Sequence, residues 1–160
     1  MGLVVAGVAG CNYSLRGGSF PGHIRTVAVL PFENETTRLE LTQELFDIMS
    51  RELPRALGVR VAGEEVADAV VRGRITLYNL GTPSYRAAAG GERAEVLQRQ
   101  VTIGIAVEIV DLVERVILWD NSALRGEGQY AEQTQTEEDG MLVALDLLVQ
   151  RIVDGAQSNW

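Results

Sequence analysis

The chain has 160 residues, one cysteine, one histidine and a formal net charge of −8. That length fits one domain with one sizeable core, the acidic balance argues against a nucleic-acid face, and a lone cysteine supplies neither an internal disulfide nor a thiolate-rich metal site. All 14 basic residues are arginine; arginine grips phosphates in a bidentate way, but a GC-rich genome produces the same count.

Residues 1–10 carry no charge: Met1 to Val8 is apolar, and Ala9 and Gly10 are small. An apolar stretch followed by small residues is the plan of a secretory signal. Val8-Ala9-Gly10-Cys11 resembles the lipobox of bacterial lipoproteins, whose cysteine takes a diacylglyceryl group and becomes the new N-terminus. Cys11 is therefore the expected lipid anchor, weighed against the plainer reading of a cysteine buried in a first strand. No basic residue precedes the apolar stretch, so residues 1–10 are read as a lipoprotein signal peptide, whole or in part. Ten apolar residues are too few for a bilayer, which takes about 20. Charges interrupt every later apolar run, so lipid alone would tether the mature chain.

Residues 11–22 read as a lipidated flexible lead, and residues 23–160 as a single domain. His23 to Phe32 is β-branched and apolar, a first strand ended by Pro31. Glu33 to Thr36 is a turn. Thr37-Arg38-Leu39-Glu40 fits a capping box. Leu41, Leu45, Ile48, Met49, Leu53 and Leu57 follow at helical spacing; Gly58 is placed to cap this helix, and Pro54 should kink or shorten it. Val59 to Ala62 is a short extended piece.

Ala69 to Tyr78 alternates, with Val71, Ile75 and Leu77 expected inward and Arg72, Arg74, Thr76 and Tyr78 outward. Gly81 to Arg93 reads as loop. In Gln98 to Val110, Val101, Ile103, Ile105, Val107 and Ile109 share one face. Asp111 to Arg115 is a hairpin turn without the usual glycine, and Val116 resumes an extended run toward Tyr130. Polar Glu132 to Asp139 leads into a second helix striped by Met141, Leu142, Leu145, Leu148, Val149, Ile152 and Val153. The order predicts an α+β domain with two helices packed on one face of a mainly antiparallel four-stranded sheet.

Catalytic patterns are wanting. His23 has no set of converging ligands in the sequence and reads as an ordinary surface histidine. There is no Gly-x-Ser-x-Gly elbow, and Gly17-Gly18 and Gly90-Gly91 lack the lysine and the strand-to-helix setting of a phosphate loop. Glu64-Glu65 and Glu137-Glu138-Asp139 read as solvated charge at helix starts. The expectation is a protein that is not an enzyme and has no cofactor and no metal.

Several segments together carry a family resemblance. Cys11-Asn12-Tyr13-Ser14-Leu15-Arg16-Gly17-Gly18, Pro21-Gly22-His23-Ile24-Arg25-Thr26-Val27-Ala28-Val29 and Phe32-Glu33-Asn34-Glu35-Thr36 are similar in order and spacing to the opening of the LptE family. Ala67 to Ile75, Val116 to Asp120 and Ile152 to Trp160 resemble its later segments; Leu30 and Pro54 are departures. The resemblance implies two helices on a four-stranded sheet. It also implies an outer-membrane lipoprotein, anchored on the periplasmic side through Cys11, that plugs and supports the LptD β-barrel in lipopolysaccharide transport and assembly. The implied partners are that barrel, lipopolysaccharide and the membrane, with no nucleic acid. Arg86, Arg93, Arg99 and Arg115 are placed to meet lipid A phosphates, but each is equally well read as a solvated arginine. The alternative is a periplasmic lipoprotein adaptor of TolB amino-terminal or CsgG type, a secretion-pore subunit or peptidoglycan-synthase activator, because Val27 to Asn34 also resembles the strand opening those domains.

Overall fold

A computed structural model describes residues 20–81, 84–86 and 95–158. The elements in order are β1 (Thr26–Val29), β2 (Glu33–Asn34), α1 (Glu40–Leu57), β3 (Arg60–Val61), β4 (Ala69–Leu80), β5 (Ser84–Arg86), β6 (Glu95–Asp111), β7 (Val116–Tyr130) and α2 (Glu137–Ser158). Cys11 and Arg93 lie outside the described residues.

The strand expected over His23 to Phe32 is two strands laid end to end along β4. β1 pairs with Val71 and its neighbours, and β2 pairs with Arg74 and Ile75, both in parallel. Pro31 sits between them, at a place where its missing N–H costs no ladder bond. β3 adds a further parallel edge outside β1. On its other side β4 runs antiparallel to β6 from Ala69↔Asp111 to Leu80↔Val101. β7 is antiparallel to β6 along the opposite edge. Among the described residues the sheet is therefore mixed and has seven strands, which corrects the expected four. The surplus strands, β2, β3 and β5, are two- to three-residue pieces, too short for a period-2 signal. One of them, β5, lies within the stretch read as loop.

Both helices serve one continuous core. Leu41, Leu45, Ile48, Met49, Leu53 and Leu57 of α1 are buried, as the helical spacing requires. They meet the odd-numbered face of β6, Val101 through Ile109, and the stripe Met141, Leu145, Leu148, Val149 and Ile152 of α2. Phe20, assigned by the sequence to the lead, belongs to the same core. Full burial of each such side chain is worth about 1.5–3 kcal/mol.

Three local expectations are corrected. Pro54 is buried within α1 without ending it; the helix runs to Leu57, and Gly58 at φ 70° closes it. Only a residue free of Cβ strain suits that left-handed cap. The capping box expected at Thr37 and Glu40 does not form, since α1 starts after Leu39 with no side-chain cap. Instead, α2 carries a comparable reciprocal cap. Asp139 accepts from the Thr136 amide and hydroxyl at 2.8 and 2.9 Å, and the Asp139 amide donates back to Thr136 Oγ1 at 3.3 Å.

The third correction is in β4. A register shift between Ile75 and Leu77 pairs Ile75 with Ile105, Leu77 with Gly104 and Tyr78 with Ile103. This bulge at Thr76 exchanges the faces of the residues beyond it, so Tyr78 rather than Leu77 packs against the core.

Candidate functional site

Strands β1 and β4 begin, and β6 ends, at one end of the sheet, where the N-terminal lead enters. Asp68, just before β4, locks that entry. Its Oδ2 accepts from the Arg25 and Thr26 amides, each at 2.9 Å, and from the Thr26 hydroxyl at 2.8 Å. The Asp68 amide donates back to Thr26 Oγ1 at 3.0 Å. The Arg25 amide first, with the Thr26 hydroxyl and amide adding to it, holds the Asp68 carboxyl below its usual range against the opposing pull of burial.

Asp111 is the second lock, and its side chain is 0% exposed. Its Oδ1 accepts from the Val113 and Glu114 amides at 2.8 and 2.9 Å, shaping the β6–β7 turn. Its Oδ2 lies 2.5 Å from His23 Nε2. Burial pushes the Asp111 carboxyl up, but the Glu114 amide, His23 and the Val113 amide together outweigh it and hold the group low. The hydrogen bond to Asp111 raises the His23 pKa above 6.5; burial opposes this and the charges of Asp111, Glu114 and Asp68 support it. His23, an ordinary surface histidine by its sequence, is thus a half-exposed tether bonded to a buried carboxylate.

His23, Asp111 and Glu114 each offer a ligand atom within 4.8 Å of the others. Both Asp111 oxygens are already committed to protein donors, so the arrangement is that of a clamp. The signal for it was legible: an aspartate opening a turn that lacks glycine favours an Asx-type cap. Arg115 takes the left-handed position of that turn itself, at φ 58°.

The other end of the sheet holds a different cluster. The Tyr78 hydroxyl donates to Glu137 Oε1 at 2.6 Å, the Arg38 guanidinium stacks 4.8 Å from the Tyr78 ring centroid and also pairs with Glu137. It borders a cleft of about 390 Å³ that Glu40, Glu44 and Glu138 help line. On the sheet face away from the helices, a groove of about 510 Å³ is lined by Leu30, Pro31, Arg72, Arg74, Glu108 and Asp120, among others. Arg72 is paired there with Glu108 at 2.6 Å, and Arg74 with Glu35 at 3.6 Å.

Of the arginines singled out for lipid A phosphates, Arg99 and Arg115 are not brought together. Arg99 pairs with Glu132 at 3.0 Å near the start of β6, whereas Arg115 stands beyond its end. Arg86 belongs to β5. Among the described residues no nucleophile, base and orienting group converge as acyl or glycosyl transfer would need, and no helix is long and apolar enough to cross a membrane.

A helix-backed mixed sheet with one open face and a locked chain entry defines a domain of the α+β class. The family model LptE: Lipopolysaccharide-assembly matches residues 24–154. The chain belongs to that family, whose members are lipopolysaccharide-assembly lipoproteins.

No curated protein matches the chain. Among solved structures, the hypothetical protein CT253 from Chlamydia trachomatis is similar with a TM-score of 0.57 at 12% identity, covering 84% of this chain and 99% of that one. A PelC dodecamer from Paraburkholderia phytofirmans gives 0.51 at 17% identity, covering 85% and 92%. An uncharacterized lipoprotein B from Nitrosomonas europaea gives 0.52 at 14% identity, covering 99% and 92%. At such identities the likeness is one of fold.

Proposed function

We propose that this protein is the lipid-anchored partner of an LptD-like β-barrel. It sits on the periplasmic side of the outer membrane, supports the barrel from its lumen and helps place lipopolysaccharide in the outer leaflet. The family match across residues 24–154 carries the reading. Physical character agrees with it: a plug needs a compact body, a polar surface suited to a wet barrel interior, and a tether. Cys11 provides the tether through a covalent lipid. The protein acts by binding and scaffolding, without bond chemistry, and needs no other cofactor.

The test is a mild-detergent pull-down of C-terminally tagged protein from outer membranes, with mass spectrometry of the proteins that accompany it. The expected result is a large β-barrel in one-to-one ratio. Recovery as a homo-oligomeric ring, or with a peptidoglycan synthase, would overturn the reading and favour an adaptor of TolB amino-terminal or CsgG type. One observation keeps that second reading in play. The β1, β2 and β3 pairings are parallel, as in the opening of those domains, and the similar PelC fold was solved as a dodecamer.

A further inference from the structure

Three groups of metal-binding chemistry meet where the lead joins the sheet. His23 has no ligand partner nearby in the sequence, yet the fold carries it onto the β6–β7 turn beside Asp111 and Glu114. One ligand atom from each of the three lies within 4.8 Å of the other two. An imidazole with two carboxylates is a donor set that suits zinc, whereas magnesium and calcium take oxygen ligands.

Two features separate this trio from a chance gathering of surface charge. The first is how Asp111 is held. Its side chain is 0% exposed, and its Oδ1 is fixed by the Val113 and Glu114 amides. Oδ2 is left aimed at His23 Nε2, 2.5 Å away. A carboxylate with one oxygen tied by backbone donors and the other presented to a histidine is oriented as metal-ligating carboxylates are. The second is the division of roles at Glu114. Its amide serves the turn, while its exposed side chain takes no part in the clamp and is available to the other two groups.

In the metal-free chain a proton shared by His23 and Asp111 occupies the space between Nε2 and Oδ2. Zinc bonds to nitrogen and oxygen of about 2.0–2.2 Å place two ligands of a tetrahedral ion about 3.4 Å apart. The pair therefore has to open by about 1 Å, and His23, with 35% of its side chain exposed, has room to move outward.

We propose that His23 Nε2, Asp111 Oδ2 and the Glu114 carboxylate form a zinc site, completed by water, in which the ion takes the place of the proton in the His23–Asp111 bond. That proton passes to solvent, and the Asp111 Oδ1 bonds to the turn stay as they are. Zinc then joins the lead to the β6–β7 turn through three side chains instead of two, stiffening the point where the chain enters the domain. The site needs neither the barrel partner nor the lipid.

The experiment uses the full chain in detergent, without a polyhistidine tag and stripped of metal by a chelator. His23 is the sole histidine, so its ring signals in a proton–nitrogen NMR spectrum report on this site alone. Zinc chloride should shift those signals to saturation at one ion per chain. Glu114→Gln keeps the amide that serves Asp111 and should leave the metal-free melting temperature unchanged. In calorimetry it should weaken zinc binding at least about tenfold, since losing even a supporting partner of a ligand costs that much. His23→Gln should remove the binding. Zinc that binds without moving the His23 ring signals is held by other surface carboxylates and overturns the proposal. Full affinity in Glu114→Gln overturns it as well, and so does a parent chain that binds no zinc.

Discussion

At the scale of single residues, the decisive feature is a carboxylate that composition alone would place on the surface. Asp111 is inaccessible because the turn it opens needs an acceptor for two backbone amides and the lead needs a fixed partner. Asp111→Ala strips both, leaving buried donors unmet at about 1–3 kcal/mol in all. Urea unfolding should read a loss of that size with an unchanged slope. The His23 bond adds a pH dependence whose sign follows from its raised pKa. Below 6.5 the histidine is protonated folded and unfolded, and its contribution is fully present. As pH rises through the raised folded value the contribution is lost. The melting temperature should therefore fall across that window, and His23→Gln should flatten the fall. Asp68 has the opposite sense: its pKa is lowered from 3.8, so its contribution is present above that value and disappears as pH drops through the folded one. A third residue effect lies at Arg115. Its left-handed backbone strains any residue with a Cβ by roughly 1–2 kcal/mol, so Arg115→Gly should raise stability by up to about 1 kcal/mol once the looser unfolded chain is counted.

At the scale of elements, what holds α2 to the sheet is a pair of absences. A Cβ at Gly126 would run into the Ala144 carbonyl and one at Gly128 into the Gly140 carbonyl, so β7 and α2 approach backbone to backbone. Gly128→Ala must push α2 away from the strand or bend it. Forcing extra volume into a packed contact costs typically about 1–3 kcal/mol, and the tertiary signal in near-ultraviolet circular dichroism should weaken with it. The alternation Arg125-Gly126-Glu127-Gly128-Gln129 advertised this close approach, since two glycines on one strand face leave room for a backbone. The α1 and α2 stripes and the β6 face were equally plain, because long periodic segments survive tertiary context. The edge was legible only in part: His23 to Phe32 read as one strand, while its division into β1 and β2 along β4, and the pairing of β3 with β1, involve too few residues to announce themselves. The Thr76 bulge was hidden for another reason. Val71 to Tyr78 alternates without a break, and the register is set by β6, so only the partner strand shows that Tyr78 turns inward. The capping residues present a third case. Three Ser/Thr-x-x-acid patterns stood in the sequence, opening at Thr37, Thr134 and Thr136, and packing, not pattern, decided that Thr136 would cap a helix.

At the scale of the whole molecule, the proposed anchor at Cys11 lies ahead of the domain in sequence. The first described core residue is Phe20, Ile24 follows it into the core, and the Asp68 and Asp111 locks take hold from His23 onward. Cys11 precedes the first strand, β1. Cys11→Ser should therefore leave the melting temperature and the denaturant midpoint within error of the parent chain. Membrane attachment should change greatly. Each methylene buried in the bilayer contributes about 0.8 kcal/mol, so two or three acyl chains would hold the protein firmly. Fractionation of cells producing the variant should find most of it released in the periplasm, with the remainder washed off by high salt in a strain lacking the barrel partner. If the variant unfolds instead, the lead is a structural part of the domain and Cys11 is a core residue rather than an anchor. If it folds and stays on membranes after the wash, attachment comes from the protein surface and the lipid reading fails. Released and folded, it would show a domain whose stability and location are set by different residues, which is what a tethered subunit delivered to a separate barrel requires.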